Sequence, residues 1–296
     1  PPRPAPDESF YHALRDSPWW DRYLAQFARF VVEAEDLGGD TYPDLLALGF
    51  SAPDYVGHDH GPHSREYVDT LLRLDQTIGE LLEYLDERVG LENMIIGLTA
   101  DHGVVPVPEV RRRQGLPGTR VSSETVSCLQ NVGRQLAERH GVESWLEPGP
   151  RLAPNLMELT GRSRDELEQE TAALLEQCPA VEAVWTSSDL AREVDEEDHF
   201  RWLYANSYYP QRSADFLIQF EKYFMASVSS VTTHGSPYAY DTRVPMIIMA
   251  PGLAPETLET PTRTVDLAPT LARLLGIPIP DEVDGRVLIE PAASSP

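Results

Sequence analysis

Apolar residues recur along this chain with two different periods, and the alternation between them predicts its architecture. Trp19, Tyr23, Phe27, Phe30 and Val31 fall on one recurring face of residues 8–37, a spacing that predicts helix. Pro43-Asp-Leu-Leu-Ala-Leu-Gly-Phe50 is a short apolar run bounded by turn residues, the pattern of a buried parallel strand. The longest periodic stretch is 64–89. There Val68, Leu71, Leu74, Ile78, Leu81, Leu82, Leu85 and Val89 recur at helical steps, Ser64 stands at the N-cap position, and Gly90 closes the helix. Met94-Ile-Ile-Gly-Leu-Thr-Ala100 then has the pattern of a second buried strand. Strand, helix and strand of these lengths predict a βαβ unit with a right-handed crossover.

Between about 111 and 230 the pattern changes. Helical stretches at 122–139 and 163–177 alternate with short strands near 153–159, 181–186 and 214–220. The parallel pattern resumes at Val244-Pro-Met-Ile-Ile-Met-Ala250, and a helix over about 264–275 ends at Gly276, with prolines beyond it. The expected organisation is an α/β domain built from residues 1–110 and 231–296, a largely parallel sheet sandwiched between helices. An inserted α+β cap subdomain at 111–230 interrupts it.

Composition narrows the function. A length of 296 residues suits one large α/β domain with an insertion, and 41% hydrophobic residues allow a sizeable core. The 24 basic residues against 48 acidic ones give a formal charge of −24, which lacks the basic footprint of a nucleic-acid surface. That field also repels anionic substrates, unless a bound metal ion reverses the sign locally. Cys128 and Cys178 share no CxxC spacing; they exclude a disulfide scaffold and a cysteine zinc site, and leave a single disulfide open. No apolar run approaches the roughly 20 residues that span a bilayer. The start, Pro-Pro-Arg-Pro-Ala-Pro, carries neither Met nor signal peptide, as a processed or truncated product would.

Three segments pair acid with histidine close to a predicted strand, and the carboxyl edge of an open α/β sheet is where ligands bind. In Ser51-Ala-Pro-Asp54-Tyr-Val-Gly-His58, an acid and a histidine four apart face the same way on a helical turn and suit zinc. A loop aspartate capping a turn, beside a solvated histidine, is the plainer reading of that spacing alone. Thr99-Ala-Asp101-His102-Gly103 follows the second strand directly, with Gly103 free to allow a close turn. Thr232-Thr-His234-Gly235 precedes the last strand.

Taken together and in this order, the three segments resemble the alkaline phosphatase superfamily. The similarity is greatest to the branch of type I phosphodiesterases/nucleotide pyrophosphatases and phosphate-irrepressible alkaline phosphatases. It extends through Leu72-Arg-Leu-Asp75, Tyr240-Asp-Thr-Arg-Val-Pro245, Thr264-Val-Asp-Leu-Ala-Pro-Thr270 and Asp284-Gly285-Arg286. The resemblance implies the C-terminal, metal-binding part of a two-zinc phosphate-ester hydrolase. Asp54, His58 and His234 would hold one Zn²⁺. Asp101 and His102 would hold the other, together with an aspartate that the family carries near its N-terminus. The nucleophile, a Thr or Ser at a helix start, is expected upstream of this chain, as are the groups that grip the other phosphate oxygens.

The implied substrate is a small phosphate ester, monoester ahead of diester, cleaved through a covalent phospho-enzyme. The implied compartment is the periplasm or the cell exterior. Asp59, His60 and His63 are expected at the surface. Asp241 with Arg243 is expected to form an ion pair supporting the His234 loop, and the aromatics around Trp202, Tyr204, Tyr208 and Tyr209 to pack within the subdomain. The rivals are a non-catalytic zinc-binding remnant and, within the same fold, a sulfatase or a manganese-dependent phosphoglycerate mutase. A sulfatase needs a modified Cys or Ser near its N-terminus, and both cysteines here lie in the inserted region.

Overall fold

Residues 6–291 are described by the computed structural model, which divides the chain into two units. The first runs through Gly103 and resumes at Arg243; the second is Val104–Thr242.

In the first unit, the helix expected over 8–37 is split at Pro18 into α1 (Glu8–Arg15) and α2 (Pro18–Ala34). Proline has no N–H to continue the ladder of α1 but fits the first position of a new helix. The buried stripe of α2 is Asp21, Ala25, Ala28 and Val32, small enough for α2 to pack closely against α3 (Ala52–His60) and α4 (Arg65–Arg88). The aromatic row points the other way. Trp19, Tyr23, Phe27 and Phe30 are 55%, 61%, 54% and 63% exposed, so their periodicity marks a helix but not its buried side. α4 starts where expected, with the Ser64 hydroxyl accepting from Tyr67 N–H at 3.0 Å.

The predicted sheet direction does not hold. Residues 43–50 have no strand partner among the described residues, and Leu45 is exposed. The strand β1 (Ile96–Thr99) pairs with Met246–Met249, and the pairing is antiparallel, with Ile96 opposite Met249 and Thr99 opposite Met246. The parallel pairing among the described residues is the two-residue ladder of Thr119–Arg120 with Phe224–Met225. An apolar run demands an extended, sheltered backbone; it does not encode which neighbour lies beside it or in which direction. The α/β character stands, and among the described residues it is carried by helices and small sheets.

Helix Leu267–Leu274 covers one face of the β1 pair at Gly97, where a Cβ would lie 3.0 Å from a Leu267 methyl. The opposite face carries Ile247 and Met249, both exposed. Buried Asp266 pins the end of the unit, accepting from Arg263 N–H at 2.9 Å and Arg286 N–H at 3.0 Å. Gly285 passes so close to Val265 O that a Cβ there would sit 2.0 Å away. The Thr264–Thr270 and Asp284–Arg286 phrases therefore have a structural role.

The second unit is α+β. Helices Ser123–His140 and Arg164–Leu175 pack together, and Val181–Thr186 pairs antiparallel with Phe216–Phe220. Residues expected as a strand at 153–159 instead hold helix Leu156–Thr160, entered through Asn155 at φ 64°. The core gathers Val132, Leu136, Trp145, Leu156, Leu167, Leu175, Val184 and Phe216, with Trp145 Nε1 donating to Thr171 Oγ1 at 2.8 Å. Trp202 and Tyr204 are half-buried and Tyr209 is exposed. Cys128 and Cys178 form a disulfide across this core, 50 residues apart in sequence. Among the described residues no helix is long and apolar enough to cross a membrane.

Two outcomes are expected. Closing a loop of that length stabilises a fold by about 3 to 4 kcal/mol, so the Cys128→Ala/Cys178→Ala variant should lose that much in chemical denaturation of the second unit. In the first unit, burial lifts the Asp21 carboxyl from its usual 3.8 to about 6, against the pull of the Ala52 and Ser51 amides. Between those values the folded unit keeps a proton that the unfolded chain has released, so this group's contribution to stability falls as pH rises. Relative to Asp21→Asn, the wild-type unit should gain about 2 kcal/mol as the pH is lowered from 7 to 4, read from denaturant midpoints.

Candidate metal centre

The proline at the second position of α3 removes one amide that a helix start would otherwise leave without a partner. Gly61 ends the helix at φ 87°, its N–H returning to Gly57 O at 2.7 Å. Between these stops, Asp54 and His58 share one face, with Oδ1 and Nε2 3.4 Å apart and both residues half-buried. Two ligands at about 2.0 Å from one tetrahedral zinc lie roughly 3.3 Å apart, so this pair has the separation of donors sharing an ion. Tyr67 of α4 closes one side. Its ring lies against Gly57, and its hydroxyl is harder to ionise, first through burial and then through the charge of Asp54. Asp59, His60 and His63 are exposed, as expected.

The chain turns just past β1, where Thr99 Oγ1 donates to Pro245 O at 2.9 Å. His102 N–H donates to Asp101 Oδ1 at 3.1 Å, and His102 Nδ1 lies 2.8 Å from Gly103 O. A carbonyl oxygen only accepts, so Nδ1 donates to Gly103 O, which fixes the ring with Nε2 turned toward Asp101. That nitrogen is 3.5 Å from Asp101 Oδ2, again close to the separation set by a common ion. Among the described residues, no third carboxylate, imidazole or thiolate joins these two to form a set of three.

His234 belongs to the second unit, on a loop without regular structure of its own. The loop is fixed from both sides. Before it, Arg120 donates to Ser227 O at 3.1 Å, Ser230 O at 2.9 Å and Val231 O at 3.0 Å, while Glu109 accepts from the same guanidinium at 2.9 and 3.0 Å. The hydrogen bond from Arg120 holds the Glu109 carboxyl down to about 2. The buried Thr232 hydroxyl donates to Val105 O, and Val105 N–H donates back to Thr233 O at 3.0 Å. After it, Gly235 takes φ 103°, and Ser236 N–H donates to buried Asp241 at 2.7 Å. Asp241 thus supports the loop through an amide, where the sequence suggested an ion pair with Arg243.

The structure therefore brings Asp54 to His58 and Asp101 to His102, and places His234 on a clamped loop. Sequence reasoning missed Tyr67, which reads as one more aromatic on a helix, and Arg120, whose carbonyl partners lie more than 100 residues away. No local signal marks either.

Residues 2–236 match the family described as type I phosphodiesterase / nucleotide pyrophosphatase. The chain belongs to this family. Alkaline phosphatase PhoK of Sphingomonas sp is 32% identical over 300 residues, an alignment covering 96% of this chain and 53% of PhoK. Alkaline phosphatase PhoD of Zymomonas mobilis subsp. mobilis is also 32% identical, over 94% of this chain and 50% of PhoD. The crystal structure of wild-type alkaline phosphatase PafA superposes with a TM-score of 0.84 at 24% identity, over 95% of this chain and 54% of PafA. This phosphodiesterase-family chain thus has an alkaline phosphatase-like α/β fold, and it spans about half the length of the curated relatives it matches.

Arg120→Ala is expected to free the 227–236 loop. Amide hydrogen exchange should accelerate there, and the second unit should lose about 2 kcal/mol with its charge-assisted bonds. Unchanged exchange across 227–236 would remove Arg120 from this role.

Proposed function

We propose that this chain is the metal-binding portion of a zinc-dependent phosphate-ester hydrolase whose nucleophile lies outside these 296 residues. The observation that carries the reading is the Asp54–His58 pair, with acid oxygen and imidazole nitrogen 3.4 Å apart on one helical turn. His234 would complete that zinc site, and Asp101 with His102 would supply two donors to a second. Carboxylate oxygen and neutral imidazole nitrogen are the donor types zinc favours where catalysis is needed. Two bound zinc ions would lower the pKa of an attacking hydroxyl or water and stabilise the departing oxygen. This chain's residues hold the metals in place. Asp54 and the two histidines also leave their site at net +1, which attracts a phosphate ester into a protein of formal charge −24.

The names of PhoK and PhoD favour a phosphomonoester as substrate. The family's own description favours a phosphodiester or a nucleotide pyrophosphate, and that is the second reading. Activity in this proposal requires further polypeptide, and the exposed apolar row of α2 together with Ile247 and Met249 is surface for such a polypeptide to cover. The Cys128–Cys178 disulfide supports an oxidising compartment, the periplasm or the cell exterior.

Metal analysis and calorimetric titration of the purified chain test this. One tight zinc and a second, weaker one are expected. Asp54→Ala or His234→Ala should abolish the tight site, and His102→Ala should weaken only the other. Zinc affinity unchanged from wild type in all three variants would overturn the ligand assignment. Hydrolysis of p-nitrophenyl phosphate by the zinc-loaded chain alone would place a nucleophile within it.

A further inference from the structure

Asp21 lies 33 residues before Asp54, on a different helix, and no motif includes it. Its side chain is 1% exposed, and its Oδ1 accepts from Ala52 N–H, the first amide of α3, at 3.2 Å. Ser51 is the residue that would ordinarily cap this helix. It sits at φ −97°, ψ −9°, a helical conformation rather than the extended one a cap needs, and its side chain makes no cap hydrogen bond. A carboxylate from α2 has taken its place. The other oxygen of Asp21 is buried and has no hydrogen-bond partner.

A charge in that setting is costly to keep. Burial raises the Asp21 pKa to about 6, so near neutral pH it is an ion with one oxygen unsatisfied. A helix start needs only an acceptor, and a local serine or threonine would supply one at far less cost. What a local cap cannot do is tie α3 to the helix packed beside it. The Asp21–Ala52 bond fixes the first turn of α3 against α2, and Asp54 is the third residue of that turn, with His58 one turn further on. Its negative charge also lies on the positive end of the α3 dipole.

We propose that Asp21 is a positioning residue for the metal site: its buried carboxylate caps α3 from α2 and so sets where Asp54 and His58 present their donors. This rests on the zinc-ligand reading of those two residues. It assigns Asp21 no contact with metal or substrate.

The test uses the full 296-residue chain, zinc calorimetry and cobalt(II) as a spectroscopic probe of the tight site. Asp21→Ala is expected to weaken zinc at least about tenfold, as loss of a residue that orients metal ligands does, and to shift the cobalt visible bands. Asp21→Asn keeps the acceptor for Ala52 N–H and should recover wild-type bands and affinity to within about threefold. If Asp21→Ala does not fold by circular dichroism, Asp21→Leu fills the space without an acceptor and carries the same expectation. Wild-type bands and affinity in the acceptor-less variant, while Asp54→Ala has lost the metal, would overturn the positioning role and leave the ligand reading standing. Wild-type affinity in Asp54→Ala would overturn both.

Discussion

A carboxylate oxygen and an imidazole nitrogen held 3.4 Å apart are too far for a strong hydrogen bond and too close to ignore each other. Helical geometry imposes this closeness on Asp54 and His58, because residues four apart on a helix face the same way whatever their charges. The Asp101–His102 pair reaches nearly the same separation without a helix. There the Nδ1 bond to Gly103 O turns the imidazole so that Nε2 faces Asp101. Two unrelated backbone contexts thus arrive at nearly the same Asp–His separation, and the proposed metal site rests on that geometry.

Holding such donors in place requires a rigid backbone beneath them, and several buried or half-buried charged side chains of this chain brace it. Asp21 holds the start of α3. Arg120, with Glu109 behind it, holds the segment leading to His234, and Asp241 holds the segment after it. Each acts on backbone amides or carbonyls, so each fixes the path of the chain rather than one side chain. Asp21 and Asp241 each keep a buried oxygen without a hydrogen bond. Buried polar groups are normally satisfied, and exceptions gather where function sets the geometry against stability. The core of the second unit, around Trp145 and the disulfide, shows the ordinary case, with its buried indole N–H paired to Thr171.

What the sequence made legible follows from the range of the interactions involved. α4, its Ser64 cap and the shared face of Asp54 and His58 depend on residues within one or two turns of each other, and spacing alone displays them. Strand pairing does not. Met94–Ala100 and Val244–Ala250 show equally apolar runs, but nothing in them states that they meet each other or that they run in opposite directions. The α2 aromatics were legible as helical and misleading as core, since periodicity marks a face and not what lies against it. Arg120 and Asp21 are the extreme case: their roles exist only in contacts 31 to 111 residues away in sequence. The family motifs were legible for a different reason, because an ordered set of short phrases constrains ancestry even where each phrase is weak.

The charge of the chain imposes one more condition on the proposed chemistry. A formal −24 repels a phosphate ester at long range, but mobile ions screen that repulsion beyond about 8–10 Å at physiological ionic strength. Within that distance the nearest charges dominate, and a divalent ion held by half-buried Asp54 and His58 would be screened far less than carboxylates on the surface. In the proposed reaction the surface acidity would slow the approach of an anionic substrate, and salt should relieve that, while the field at the reacting atoms would be set by bound metals and the few side chains around them. Bound divalent ions are one way for a chain this acidic to accept an anionic substrate. The acidic composition and the closely spaced Asp–His pairs thus bear on the proposed metal site from independent directions.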